Sequence, residues 1–71
     1  MMELKPGLYR HFKGNLYRLL HVAKHSETQE PMVVYQALYG EMGIWVRPAI
    51  MWNEWVDRDD YHGPRFYPVE E

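Results

Sequence analysis

Residues that favour turns interrupt this chain at short intervals, and this spacing is what most limits the folds open to it. The turn signals are Pro6-Gly7, Lys13-Gly14-Asn15, residues 26–31, Gly40 with Gly43, and residues 58–64. Short segments bounded by Gly, Pro and Asn in this way are typical of all-β sandwiches and barrels. The sequence therefore predicts a mainly β fold.

The segments between these turns predict five or six antiparallel strands. We expect strands at residues 7–11, 16–25, 32–39 and 44–47, and a last pair at residues 53–57 and 65–69. The second strand is apolar on both faces, which indicates a bend such as those at barrel corners. This layout predicts a small, bent antiparallel barrel of the SH3-like type.

The segment after the fourth strand has two interpretations. Pro48 favours the first position of a helix, so residues 48–52 predict one short helical turn. The alternative is a longer helix over residues 48–56. It would place four apolar residues on one helical face, namely Met51, Trp52, Trp55 and Val56.

The chain has 71 residues, so we expect a single domain over residues 1–71. It contains no cysteine, and its 15% of aromatic residues are the substitute for a disulfide cross-link. A chain without cysteine suits a reducing compartment. The first residues lack the apolar run of a signal peptide, and no stretch is as long as a membrane span. We therefore expect a cytoplasmic protein with no membrane partner.

The net charge of −2 is unevenly distributed along the chain. Residues 1–25 contain five basic residues and one acidic residue, whereas residues 26–71 contain three basic and nine acidic residues. The basic first hairpin is either a surface for a nucleic acid or a solvated hairpin whose charges favour solubility. The overall acidity weighs against a general polyanion-binding protein.

Familiar catalytic motifs are absent from the sequence. It contains no P-loop, no dinucleotide-binding glycine pattern and no cysteine nucleophile, and Ser26 is its single serine. Its histidines lack metal-ligand spacing, because His21 and His25 on one strand would lie roughly 13 Å apart. We therefore expect no metal and no cofactor. Acid–base chemistry by His25 with Glu27 is an alternative hypothesis.

The fourth strand carries the most suggestive ligand-binding pattern. Trp45 and Arg47 alternate onto one face of it, opposite Ile44 and Val46, which we expect in the core. An outward ring and guanidinium suit an anion, a carboxylate or a base. Alternatively, Trp45 packs under the helical turn and Arg47 pairs with Glu54 or another carboxylate. The full candidate set of ligand-binding residues is Trp45, Arg47, His25, Glu27, Tyr35, Tyr39 and His11.

These features favour a binding module that presents an aromatic and Arg-lined surface to a small ligand, a peptide or a protein partner. A barrel that contacts nucleic acid through the first hairpin is the second hypothesis. A small acid–base enzyme built on His25 and Glu27 is the third, and a chain this short would need a dimer to enclose its substrate. A homodimer is also expected on general grounds, because small aromatic-rich domains gain from covering apolar surface.

Five segments occur in a recognisable order along the chain. They are KPGLYRHFKGN (5–15), HSET (25–28), VVYQALYG (33–40), WVRP (45–48) and PRF (64–66). With these runs the chain resembles the domain-of-unknown-function family 1653 of small bacterial proteins. The resemblance implies a compact, mainly β domain of bacterial origin and implies no activity. Residues 52–63 depart from the family pattern, which affects the geometry of the final turn.

Overall fold

The structure is a computed structural model that describes residues 4–70 as seven strands and one short helix. In chain order the elements are β1 (Gly7–His11), β2 (Leu16–Lys24), β3 (Pro31–Ala37), β4 (Ile44–Pro48), α1 (Ala49–Trp52), β5 (Trp55–Arg58), β6 (Tyr61–Pro64) and β7 (Phe66–Pro68). The fold is mainly β with antiparallel strands, as the turn spacing predicts.

Five strands form one sheet in the order β4-β3-β2-β1-β7, and β5 pairs with β6 in a separate hairpin. Within the described residues, the edge strands β4 and β7 are not hydrogen-bonded to each other, so the sheet is not a closed barrel. The expected number of five or six strands is also wrong. Residues 58–64, expected to be a turn, contain β6, which pairs with β5 and leaves β7 to pair with β1. The SH3-like arrangement stays a prediction.

β2 bends at Leu20, where one extra residue interrupts its pairing with β3. Leu19 is opposite Tyr35 and His21 is opposite Val34, so Leu20 has no partner of its own. Such a bulge bends the strand and increases its local twist. The bend that the two apolar faces of this strand predict is therefore confirmed.

α1 is a single helical turn that follows Pro48, as the first interpretation predicts. The longer helix over residues 48–56 is wrong, because the helix ends at Asn53 and β5 begins two residues later. The backbone N–H of Arg65 donates to the carbonyl of Glu54 at 2.8 Å, and this bond holds the segment on an extended path.

The inner face of the five-stranded sheet, to which β7 contributes Phe66, packs against α1 in one aromatic core. The rings of Trp52 and Phe66 stack in parallel, with their centroids 3.8 Å apart. Tyr9 and Tyr35 of the sheet meet Trp52 edge-on, at 5.4 and 5.0 Å. Such aromatic pairs contribute about 0.5–1.5 kcal/mol each beyond the burial of their area. The other buried members of this core are Leu19, Val33 and Ala49.

Replacement of Trp52 by alanine is expected to lower the free energy of unfolding by about 3–5 kcal/mol, because removing a buried aromatic side chain leaves a cavity. Trp52 is 1% exposed, whereas Trp55 is 64% exposed and is the matched control. For Trp55→Ala the expected change is within about 0.5 kcal/mol. Urea unfolding followed by circular dichroism measures both. Similar losses in the two variants would contradict this assignment of core and surface.

Candidate functional site

Trp45 and Arg47 of β4 lie on the inner face of the sheet. Trp45 is opposite Tyr35 in the β3–β4 register, and Arg47 is opposite Val33. Both partners are buried core residues. Since residues directly opposite each other in an antiparallel pair share a face, Trp45 and Arg47 share the face that carries the core.

The expectation that Ile44 and Val46 enter the core is wrong. These side chains alternate onto the outer face and are 62% and 59% exposed. The alternation along β4 is as expected, but the two faces are exchanged. The reason is that the packing of α1 and of Phe66 is on the inner face alone, so the more hydrophobic pair of β4 lies on the uncovered side.

Arg47 reaches across the inner face from one edge strand towards the other. Its guanidinium carbon lies 5.9 Å from the ring centroid of Tyr35 and 5.5 Å from that of Phe66 in β7. The alternative pairing of Arg47 with Glu54 is wrong, because Glu54 accepts two hydrogen bonds from Arg65, at 2.8 and 3.0 Å. Arg47 is half-buried, and across residues 4–70 it has no hydrogen bond or ion pair from its side chain.

Tyr17 and Tyr39 form a hydroxyl pair at the end of β3, with their oxygens 2.6 Å apart. The ring of Tyr17 also meets Tyr35 and Phe66 edge-on, at 5.7 and 5.4 Å. Burial, followed by the hydrogen bond to Tyr39, raises the pKa of Tyr17 to about 12. Tyr17 therefore stays protonated at neutral pH. One hydroxyl hydrogen lies between the two oxygens, and the other is left to donate away from the pair.

His11 lies on the β1 side of the same rings. Its ring meets Phe66 edge-on at 4.9 Å, and its Nδ1 accepts the backbone N–H of Lys13 at 3.1 Å. The neutral ring therefore carries its proton on Nε2. Burial first, and then the positive charges of Arg65, Arg47 and Lys13, lower the pKa of His11. His11 is thus a neutral donor in positively charged surroundings.

Six side chains, each in contact with at least one of the others, make up what we call the Arg47 cluster, namely Arg47, Tyr35, Phe66, Tyr17, Tyr39 and His11. Four of them belong to the predicted set, whereas Tyr17 and Phe66 do not. The alternation of Tyr17 with Leu19 on β2 is the signal that places it on the core face. No chemical pattern in the sequence identifies Phe66 as a site residue, and the one signal for it is its place in the run PRF (64–66).

An open groove of about 400 Å³ adjoins the cluster at the end of β3 and β4. It is lined by Ala37, Tyr39, Gly40, Glu41, Gly43 and Trp45. Trp45 is 59% exposed here, so the alternative that it packs under the helical turn is wrong. The buried tryptophan is Trp52, which belongs to the helical turn itself. We call this feature the Tyr39–Trp45 groove. Glu41 was not among the predicted residues because it sits between two glycines in a turn.

His25 and Glu27 are not brought to the Arg47 cluster. They follow β2 in the loop at the start of β3, whereas the groove lies at the end of β3. The seven residues of β3 separate the two ends by about 20 Å. Nδ1 of His25 accepts the backbone N–H groups of Glu27 and Thr28, at 3.1 and 3.3 Å. This gives His25 a structural role in the turn.

The basic residues of the first hairpin lie in different places. Arg10 and Arg18 share the outer face of the sheet by their register, and Nη1 of Arg10 donates to the carbonyl of Gly14 at 2.9 Å. Lys13 lies in the turn with its ammonium 6.0 Å from the ring centroid of Phe12. The first hairpin therefore carries its positive charge on two surfaces.

Residues 4–70 contain neither a membrane-spanning helix nor a group of side chains suited to a metal ion. The sole helix in this range has four residues, so none there has the length and apolarity to cross a membrane. The same part of the chain contains no group of three or more His, Asp or Glu side chains that could hold a metal ion.

The lowered pKa of His11 predicts a fold that loses stability in acid. The folded state binds this proton less readily than the unfolded state, so the stabilisation is fully present above about pH 6.5 and is lost as the pH falls through the lowered pKa. His11→Gln should therefore flatten the fall in unfolding free energy between about pH 7 and 5. Urea unfolding over this range measures it, with the exposed His21→Gln as control. Parallel pH profiles for wild type and His11→Gln would refute the prediction.

Comparisons with other proteins agree on one relationship. No curated protein matches the chain. The crystal structure of a DUF1653 protein from Bordetella bronchiseptica is similar, with a TM-score of 0.86 and 42% sequence identity over 94% of this chain and 88% of that one. The family model described as "Protein of unknown function (DUF1653)" matches residues 7–68. The resemblance of the five sequence runs is therefore confirmed, and the chain belongs to the DUF1653 family.

Proposed function

We propose that this protein is a binding module whose Arg47 cluster holds the anionic group of a small ligand. The observation that carries the proposal is the half-buried guanidinium of Arg47, which has no hydrogen-bond acceptor among residues 4–70. A guanidinium has five N–H donors in a fixed plane, and that plane matches a carboxylate or a phosphate. A ligand oxygen supplies the acceptor that the chain itself does not.

The neighbours of Arg47 are donors as well. The Tyr17–Tyr39 hydroxyl pair has one hydrogen to donate outward, and neutral His11 has its Nε2 proton. The cluster contains no carboxylate, so nothing within it opposes a negative charge. Arg65 and Lys13 add positive potential, as their effect on the pKa of His11 shows. This arrangement supports an anion rather than a cation at Arg47.

The exposed ring beside Arg47 favours a ligand with a flat part. Tyr35 and Phe66 lie beneath the guanidinium and are buried, so the ring surface open to a ligand is that of Tyr39, which is 46% exposed. Aromatic side chains bind planar groups by offset or edge-on contact. The ligand class that fits best is therefore a small molecule with a carboxylate or phosphate next to a planar ring. A peptide or protein that presents the same group is a second source of this chemistry.

The acid–base enzyme built on His25 and Glu27 has less support. The turn uses Nδ1 of His25 as an acceptor for two backbone N–H groups, and both residues lie at the far end of β3 from the cluster. The proposal therefore concerns binding and assigns no catalytic step.

Arg47→Ala is expected to weaken binding of benzoate and phenyl phosphate by about 10–150-fold. A hydrogen bond to a charged group contributes about 1.5–3 kcal/mol, which corresponds to that range. Binding is measured from the shifts of the backbone amide resonances in ¹⁵N-labelled protein, because the Nε–H of Arg47 is absent from the variant. Benzamide, the neutral counterpart of benzoate, should bind the wild type much more weakly.

Arg58→Ala is the matched control for this experiment. Arg58 is exposed, its guanidinium carbon lies 5.6 Å from the ring centroid of Phe12, and it is not among the charges that lower the pKa of His11. The control should bind both anions like the wild type. Equal weakening in Arg47→Ala and Arg58→Ala would show nonspecific attraction of charge and would overturn the proposal, as would equal affinity for benzoate and benzamide.

A further inference from the structure

We propose that the Tyr39–Trp45 groove is a separate site for an organic cation, an alkylammonium group presented by a small amine or by a lysine side chain. This inference does not depend on the proposed function of the Arg47 cluster. The groove shares Tyr39 with that cluster, but its other lining residues lie outside the cluster and its ligand has the opposite charge.

Two aromatic side chains line the groove and are accessible to a ligand. Trp45 is 59% exposed and Tyr39 is 46% exposed, although most aromatic residues of the sheet are packed into the core. The face of an aromatic ring attracts a cation through its quadrupole, and Trp and Tyr are effective partners for it. Paired aromatic walls of this kind are used to recognise quaternary and methylated ammonium groups.

The charge of the groove points to the same ligand. Glu41 is the charged residue in its lining, and across residues 4–70 the Glu41 side chain has no hydrogen bond or ion pair. Arg47 shares the inner face with Trp45 but is not part of the lining, and its guanidinium is over Tyr35 and Phe66. A cation in the groove therefore meets an unpaired carboxylate.

The walls of the groove are held in place before any ligand binds. The hydroxyl of Tyr39 is bonded to that of Tyr17, and Nε2 of Gln36 donates to the carbonyl of Met42 at 2.9 Å. The Trp45 indole lies close over Gly43, where a Cβ would be 3.2 Å from its Nε1. Glycine at this position thus lets the ring form a wall. A preformed site loses less entropy when its ligand binds.

The volume of the groove suits a small ammonium group. At about 400 Å³, it falls within the range of about 300–1,000 Å³ that is usual for small-molecule sites. Tyr39, Trp45 and Glu41 line a space of this size, which a trimethylammonium group or the end of a lysine side chain can enter.

The test is a titration of ¹⁵N-labelled protein with choline, with 3,3-dimethylbutan-1-ol as its neutral isostere. Choline should shift the indole N–H resonance of Trp45 in a saturable way, and the neutral isostere should bind about tenfold more weakly. The indole resonance of Trp55 should not move. Equal binding of the two probes, or no saturable shift at Trp45, would overturn the inference.

Three variants and one control locate the site, with binding followed through the backbone amide resonances because the Trp45 indole is absent from one of them. Trp45→Ala should abolish the binding of choline, and Glu41→Gln should weaken it about fivefold through loss of the charge. Trp55→Ala, which removes an exposed tryptophan elsewhere, should bind like the wild type. Gly43→Ala should weaken binding without unfolding the protein, because the added Cβ displaces the indole. Unchanged affinity in both Glu41→Gln and Gly43→Ala would refute the site.

The source of the cation is decided by two further probes. A short peptide with one unmodified lysine and the same peptide with trimethyllysine are compared with free choline. Tighter binding of either peptide identifies a protein side chain as the ligand, whereas tighter binding of choline identifies a small amine. Anion binding at the Arg47 cluster is followed through different resonances, so failure of either proposal leaves the other open to its own test.

Discussion

The parallel stack of Trp52 on Phe66 is the contact on which the rest of the structure depends. Trp52 follows β4 at one edge of the five-stranded sheet, and Phe66 belongs to β7 at the other edge. Their stacking therefore joins the two edges across the inner face, although no backbone hydrogen bonds join them within the described residues. In a chain with no cysteine, this contact has the role that a disulfide has in other small domains.

The same stack positions the candidate site. Phe66 presents one part of its surface to Trp52 and another to Arg47, His11 and Tyr17. The donors of the Arg47 cluster are therefore arranged around a ring that the core already fixes. A site supported in this way needs little reorganisation to bind its ligand, and this favours affinity in a domain too small to enclose a substrate.

Local patterns in the sequence predict the strands, the bend in β2 and the helical turn after Pro48, because each depends on neighbouring residues. They do not predict which face of β4 is covered. In the run Ile-Trp-Val-Arg (44–47), strand alternation allows either pair of side chains to face the core. Hydrophobicity alone favours Ile44 and Val46 as the buried pair. The choice depends on Phe66, which lies well beyond β4 in the sequence and packs with Tyr35 on the inner face. The hairpin of β5 and β6 was missed because its Asp-rich turn looks like a longer loop.

The sequence also predicts part of the candidate site, as it predicts part of the fold. The structure brings together Arg47, Tyr35, Tyr39 and His11. The first two and His11 occupy inward positions on β4, β3 and β1, and Tyr39 lies in the loop that follows β3. His25 and Glu27 are placed elsewhere because the length of β3 separates the two loops that it connects. Proximity along the sequence therefore predicts the members of the site less well than strand alternation does. Alternation shows which side chains share the inner face with the buried residues.

β4 is an edge strand, and within residues 4–70 its outer side has no neighbouring strand. A strand that pairs there from any other chain would lie about 4.8 Å away, with its inward side chains next to Trp45 and Arg47. Pairing at this edge and the ligand binding proposed for the inner face would thus involve the same two side chains. Any effect of such pairing on ligand affinity would be matched by an equal effect of the ligand on the pairing.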